Sequence, residues 1–126
     1  MDKRILIIDD EPGLLKILGS RLKTIGYDVD IAENGIRGFD KIRENKPDLI
    51  ILDLMMPGMD GFKFFKKIKD KEETAKIPIV VLSAKGEIKE SFLALGADSF
   101  LCKPFALDEL SATLDSVFFN KLRYVS

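Results

Sequence analysis

The sequence predicts an α/β domain in which a parallel sheet is covered by helices on both faces. Two observations lead there. Short apolar runs alternate five times with amphipathic stretches, and four of the five runs are nearly unbroken. Unbroken apolar strands belong to sheets buried on both sides, and strand-then-helix repetition builds parallel sheets through right-handed crossovers.

Each element has its own justification. The strand runs are Ile5–Ile8, Tyr27–Ala32, Leu49–Leu52, Ile77–Leu82 and Ser99–Cys102. The second run alternates apolar and acidic residues, which suits a sheet edge with one face wet. The first helix starts near Pro12, carries Leu14, Leu15, Leu18, Leu22 and Ile25, and stops at Gly26; proline at a helix start and glycine just past its end are the expected signals. The second helix is capped by Asn34, with Ile36, Phe39 and Ile42 facing inward. A tight turn over Pro57-Gly58-Met59-Asp60-Gly61 leads to a third helix opening at Asp60, with Phe62, Phe65 and Ile68 inward. The fourth shows Ile88, Phe92 and Leu95 before Gly96, and the fifth Leu107, Leu110, Leu114 and Phe118. An edge position for the second strand fits the flavodoxin-like doubly wound order 2-1-3-4-5, with the chain reversing between the first and third strands.

Composition narrows the chemistry. The chain of 126 residues has 46% hydrophobic and 33% charged residues, matching one domain over 1–126 with no linker or repeat. A net charge of −1 gives no global basic field for nucleic acid. No apolar run approaches the ~20 residues of a membrane span, so a cytoplasmic protein is the simple reading. The absence of histidine removes histidine triads, histidine bases and the usual zinc ligands. The single Cys102 excludes an internal disulfide and is expected to be a small buried hydrophobe.

In open α/β sheets, ligands bind beyond the carboxyl ends of the strands at the switch point. The first strand exits into Asp9, Asp10 and Glu11, the third into Asp53, the fourth into Ser83, and the fifth into Lys103-Pro104. Crowded carboxylates repel where solvent is scarce and call for a cation. Oxygen donors alone, leaving room for water and phosphate, suit Mg²⁺ better than Ca²⁺. An aspartate flanked by such an ion, the Lys103 ammonium and the Ser83 hydroxyl suits the role of in-line phosphoryl acceptor. With no histidine in the chain, the donor is another protein or a small acyl phosphate.

The stretches Ile7-Ile8-Asp9-Asp10-Glu11, Asp53 through Gly61, Leu82-Ser83-Ala84 and Leu101-Cys102-Lys103-Pro104-Phe105 resemble the bacterial response-regulator receiver domain along essentially the whole chain. That resemblance implies Asp53 as phosphoacceptor, with Mg²⁺ bound directly by Asp10, Asp53 and the Met55 carbonyl, and by Asp9 largely through water. It implies phosphoryl contacts from Ser83 and Lys103, a cis Lys103–Pro104 bond, and Phe100 as a switch aromatic that turns inward as Ser83 moves. Met55 and Lys85 occupy positions that, in the family the chain resembles, border the water that attacks the acyl phosphate. Leu93 and Phe119 lie off their helical stripes. They are either neighbours of the core or part of an apolar patch on the fourth-helix, fifth-strand, fifth-helix face, where many relatives dimerise or dock an output domain.

The implied function is a signalling switch loaded by a sensor histidine kinase or phosphotransfer protein. It is not an enzyme, since it would assist only its own phosphorylation and dephosphorylation. A haloacid-dehalogenase-type phosphatase would need an acid where Met55 stands. A nucleotide or flavin module would need a Gly-, Ser- or Thr-rich loop where Asp-Asp-Glu-Pro-Gly stands. A degenerate receiver used as an unphosphorylated scaffold remains as the alternative. Both a single-domain regulator and the front of a longer protein with an output domain are compatible with the sequence.

Overall fold

The computed structural model describes residues 3–56 and 59–125, with side chains at 55–60 and 121–125 outside the description. Its elements are β1 (Arg4–Ile8), α1 (Pro12–Ile25), β2 (Asp28–Ala32), α2 (Gly35–Glu44), β3 (Leu49–Asp53), the short hairpin β4 (Met55–Met56) and β5 (Met59–Asp60), α3 (Gly61–Asp70), β6 (Ile79–Ser83), a 3₁₀ turn (Gly86–Ile88), α4 (Lys89–Ala94), β7 (Ser99–Cys102) and α5 (Leu107–Val125). Five strands form one parallel sheet in the order β2-β1-β3-β6-β7. This is the expected 2-1-3-4-5 order, with the alternating strand at an edge.

The pleat sorts the strand residues into two cores. Leu6, Ile8, Ile50, Leu52, Ile79, Val81 and Phe100 pack on one face with Phe64, Phe65 and Ile68 of α3 and Phe92 of α4. Ile5, Ile7, Leu49, Ile51, Val80, Leu82 and Leu101 pack on the other with Leu15, Leu18 and Leu22 of α1 and Leu110, Leu114 and Val117 of α5. The three interior strands β1, β3 and β6 are covered on both faces and therefore need apolar residues at nearly every position, which is why their runs are unbroken.

The helix ends follow the sequence signals. Pro12 opens α1, and Gly26 closes it at φ 120°, a left-handed region that favours glycine. The Asn34 side chain accepts a hydrogen bond from the Arg37 amide at the start of α2. Gly96 adopts φ 109° after α4. The turn after β3 contains the β4–β5 hairpin, in which the Met55 backbone pairs with that of Asp60; Pro57, Gly58 and the expected capping side chain of Asp60 lie outside the described residues.

Several expected core residues are on the surface. Ile36 is 72% exposed because α2 turns Gly35, Gly38 and Ile42 inward, a stripe in which glycines allow close approach to the sheet. Phe62 is 41% exposed because the inward stripe of α3 is Gly61, Phe64, Phe65 and Ile68, which has the spacing of one helical face. Leu95 lies beyond the last residue of α4 and is exposed, as is Ile25 in the last turn of α1. Leu93 is partly buried against the α3–α4 core, whereas Phe119 is exposed. Cys102 is exposed too: β7 runs past the end of its core, and the thiol meets the backbone at Ala84 and the turn at Gly86 instead of a helix.

Val117 packs on the α1–α5 side of the sheet and borders Pro78, Asp98 and Ser99 near the starts of β6 and β7, away from the strand exits. Val117→Ala removes two buried carbon groups and is expected to lower the unfolding free energy by about 1.5 kcal/mol, measured by urea denaturation.

Candidate functional site

The parallel register builds the site. Ile8 pairs with Leu52, so Asp9 and Asp53, each one residue further on, fall side by side at adjacent strand tips. The Asp9 amide donates to the Ala32 carbonyl at 3.1 Å, which extends β1 along β2 by one residue. Asp53 pairs in register with Leu82 of β6, and the Lys103 amide donates to the Ser83 carbonyl at 2.9 Å, extending β7 along β6. Side chains alternate along a strand, so Asp9, Asp53 and Lys103 continue the face that carries Ile7, Ile51 and Leu101. Ser83 continues the opposite face, after Ile79 and Val81.

Asp9 and Asp53 are buried, Asp10 is half-buried, and oxygens of all three carboxylates lie within 4.8 Å of one another. The Lys103 ammonium stands 3.5 Å from Asp9 and 3.3 Å from Asp53. Asp9 also accepts the Glu11 amide at 3.0 Å. Burial pushes the Asp9 carboxyl up to about 6; the Glu11 hydrogen bond opposes that rise, and the neighbouring Asp53 charge adds to it. Burial alone would lower Lys103, but the facing Asp53 and Asp9 carboxylates outweigh it and hold the ammonium above its ordinary value.

This arrangement fits a hard divalent ion. Three acids face one ammonium, every donor of the cluster is an oxygen, and one carboxylate is already driven toward the protonated form by crowding and burial. Among the described residues, Asp9, Asp10 and Asp53 are the side chains placed to hold such an ion. Met55 follows within the β4 backbone; its side chain lies outside the described residues.

Ser83 is fully buried, and its Oγ accepts the Lys85 amide at 3.0 Å. The Lys85 side chain is exposed. The Lys103–Pro104 bond is cis. Phe100 is buried and packs in the core that also holds Phe92 of α4. The strand-exit residues named from the sequence thus meet at one end of the sheet, while Leu93 and Phe119 are not part of that cluster.

One feature escaped the sequence reading. A cleft of about 500 Å³, walled by Leu14, Ile17, Leu18, Phe105 and Leu107, shares Glu11 and Lys103 with the acidic site. Ile17 is 58% exposed there. The signal was present: Ile17 is an apolar residue off the Leu14/Leu15/Leu18/Leu22 stripe, on the helix that begins at the site.

Comparison with known proteins agrees with this geometry. The response regulator receiver domain family matches residues 5–115. The DNA-binding dual master transcriptional regulator RpaA of Synechocystis is 42% identical over 111 residues, covering 86% of this chain and 46% of that protein. Response regulator MprA of a Mycobacterium species is 38% identical over 116 residues, covering 90% of this chain and 50% of that protein. The chain therefore spans about half the length of these relatives. Among solved structures, the chemotaxis response regulator CheY4 of Vibrio cholerae superposes with a TM-score of 0.85 at 31% identity, covering 93% of this chain and 99% of that one. Response regulator TrrA of Thermotoga maritima, described in complex with Mg(2+)-BeF, gives 0.80 at 34% identity, covering 91% and 98%. A match across residues 5–115, arriving at the same conclusion as the sheet order and the strand-tip acids, makes this chain a member of the response regulator receiver domain family of two-component signalling.

Proposed function

We propose that the chain is a phosphorylation-dependent switch in which Asp53 accepts a phosphoryl group. The observation that carries this reading is the convergence of Asp9, Asp10 and Asp53 within 4.8 Å, closed by an ammonium 3.3 Å from Asp53. An Asp53 oxygen attacks phosphorus in line; the new O–P bond forms as the donor's P–N or P–O bond breaks, and the donor leaves with its electron pair. Lys103 pairs with the transferred oxygens, and the Ser83 hydroxyl, which rotates about its bond, donates to another. Asp10, Asp53 and the Met55 carbonyl would hold a Mg²⁺ ion directly, and Asp9 largely through water; bound there, the ion would supply positive charge that offsets the charge on the transferred oxygens.

The product replaces a carboxylate by a group of about −1.5 to −2 charge at pH 7. Ser83 turning toward that group would leave the Lys85 amide it now accepts from, with Phe100 following on the same sheet face. The readout surface is then α4, β7 and α5, where Phe119 is exposed, and it meets an output domain, a target or a second copy. These 126 residues hold no histidine to carry the phosphoryl group themselves, so a separate histidine kinase or phosphotransfer protein would serve as the protein donor. The cleft sharing Lys103 with the site is the apolar surface beside Asp53 that would seat it. The domain turns over no separate substrate in this scheme, and nucleic-acid binding falls to an output partner.

Three measurements test the proposal. Incubation with acetyl phosphate and Mg²⁺ is expected to add the mass of one phosphoryl group, and that gain is absent from Asp53→Asn and in EDTA. If wild type gains nothing, an unphosphorylated scaffold replaces the switch.

The second concerns Asp9. Its folded pKa of about 6 lies above the ordinary 3.8, so folding favours its protonated form. Its contribution to stability is fully present below pH ~4 and is lost as pH rises through about 6. Asp9→Asn in EDTA is expected to raise the unfolding free energy at pH 7.5 by on the order of 1–2 kcal/mol, with little gain at pH 4. Urea titrations at the two pH values check this.

The third concerns lifetime. The thioether of Met55 cannot orient an attacking water as an amide can. Met55→Asn is expected to shorten the phosphoryl half-life by a factor of a few, followed by mass spectrometry after the donor is removed.

A further inference from the structure

The backbone immediately after Asp53 is packed unusually closely by the first residue of α3. A Cβ placed on Gly61 would lie 2.6 Å from the Leu54 Cα, 2.7 Å from its carbonyl oxygen and 2.9 Å from its carbonyl carbon. All three are backbone atoms, so no side-chain rotation relieves the overlap. At Gly38, by contrast, the nearest atom is the Ile8 Cδ1 at 2.8 Å, the mobile tip of a side chain.

Leu54 is tightly placed. Its amide donates to the Leu82 carbonyl at 3.2 Å. The residue before it, Asp53, is in register with Leu82, and the residue after it, Met55, pairs with Asp60 across the hairpin that delivers Gly61. The β6 ladder holds the Leu54 peptide on one side and Gly61 bears on it from another. We propose that Gly61 is a positioning residue for the divalent-cation site. Its lack of a side chain sets the path of the Leu54 backbone, and with it the Asp53 carboxylate on one side and the Met55 carbonyl on the other. This rests on the reading of Asp53 and its neighbours as a cation site.

An added methyl group requires the Leu54 backbone to retreat by roughly 0.8 Å to restore an ordinary contact of 3.4 Å. Mg²⁺ demands near-octahedral geometry at about 2.0–2.1 Å, whereas Ca²⁺ accepts looser shells at about 2.3–2.6 Å. A displaced backbone therefore penalises Mg²⁺ more than Ca²⁺, a signature that loss of overall stability does not produce.

The test is a pair of amide-detected NMR titrations, with Mg²⁺ and with Ca²⁺, on wild type, Gly61→Ala, Val117→Ala and Asp53→Asn. Gly61→Ala is expected to weaken Mg²⁺ binding about tenfold and Ca²⁺ binding less, while Val117→Ala binds both as wild type does. Unchanged Mg²⁺ affinity in Gly61→Ala, or an equal loss for both cations, overturns the proposal while leaving the cation site standing. Absence of Mg²⁺ binding in wild type, or wild-type binding by Asp53→Asn, removes the cation site and this inference with it. If Gly61→Ala is unfolded in dilute buffer, all four proteins are titrated in trimethylamine N-oxide, which favours compact states. A chain that still does not fold there overturns the proposal, because Gly61 then serves the fold as a whole.

Discussion

The central constraint is the meeting of Asp9 and Asp53 at adjacent strand tips. Parallel pairing of Ile8 with Leu52 leaves the next residue of each strand no alternative but proximity. Burial of both carboxylates removes the solvent that would otherwise screen them. Lys103 relieves part of that repulsion by pairing with both, at 3.5 Å from Asp9 and 3.3 Å from Asp53. The sheet around this point is apolar at nearly every position on both faces, so hydrophobic burial of the strands sustains an electrostatic arrangement that is unfavourable by itself. Marginal domain stability makes such a concentration of charge a substantial local expense, in keeping with a site shaped for binding rather than for folding.

Much of this was legible in the sequence because the fold is regular and the acids stand at strand ends. Unbroken runs such as Leu49–Leu52 announce a doubly covered strand, and the alternating Asp28-Val29-Asp30-Ile31 announces the edge. Once the strand order is known, the first, third and fifth strand exits are adjacent or nearly so, and Asp9, Asp53 and Lys103 follow. Helix phase was less legible. In α3, Phe62, Phe64 and Phe65 offer competing stripes, and only the docked helix shows that Gly61, Phe64, Phe65 and Ile68 turn inward. In α2 the inward positions include Gly35 and Gly38, which no count of apolar residues marks as core.

The errors at the ends of elements have a common cause. Leu95 follows α4 and Ile25 closes α1, where a helix overhangs the sheet and periodicity no longer reports burial. Cys102 sits at the last position of β7, opposite a 3₁₀ turn and a helix of only six residues, and so lacks the cover that an interior strand residue receives. Close backbone approach was also invisible. Gly61 reads as a turn residue, and its contact with Leu54 exists only because the β4–β5 hairpin folds the chain back on itself.

The two-sided pleat has a further consequence. Asp9, Asp53 and Lys103 extend the layer shared with α1 and α5, whereas Ser83 and Phe100 belong to the layer shared with α3 and α4. Ser83 is bonded on both sides: its carbonyl accepts the Lys103 amide, and its hydroxyl oxygen accepts the Lys85 amide. The acidic cluster and the Ser83 hydroxyl thus leave the sheet on opposite faces, and the shortest covalent and hydrogen-bonded path between them runs through one residue at the tip of β6.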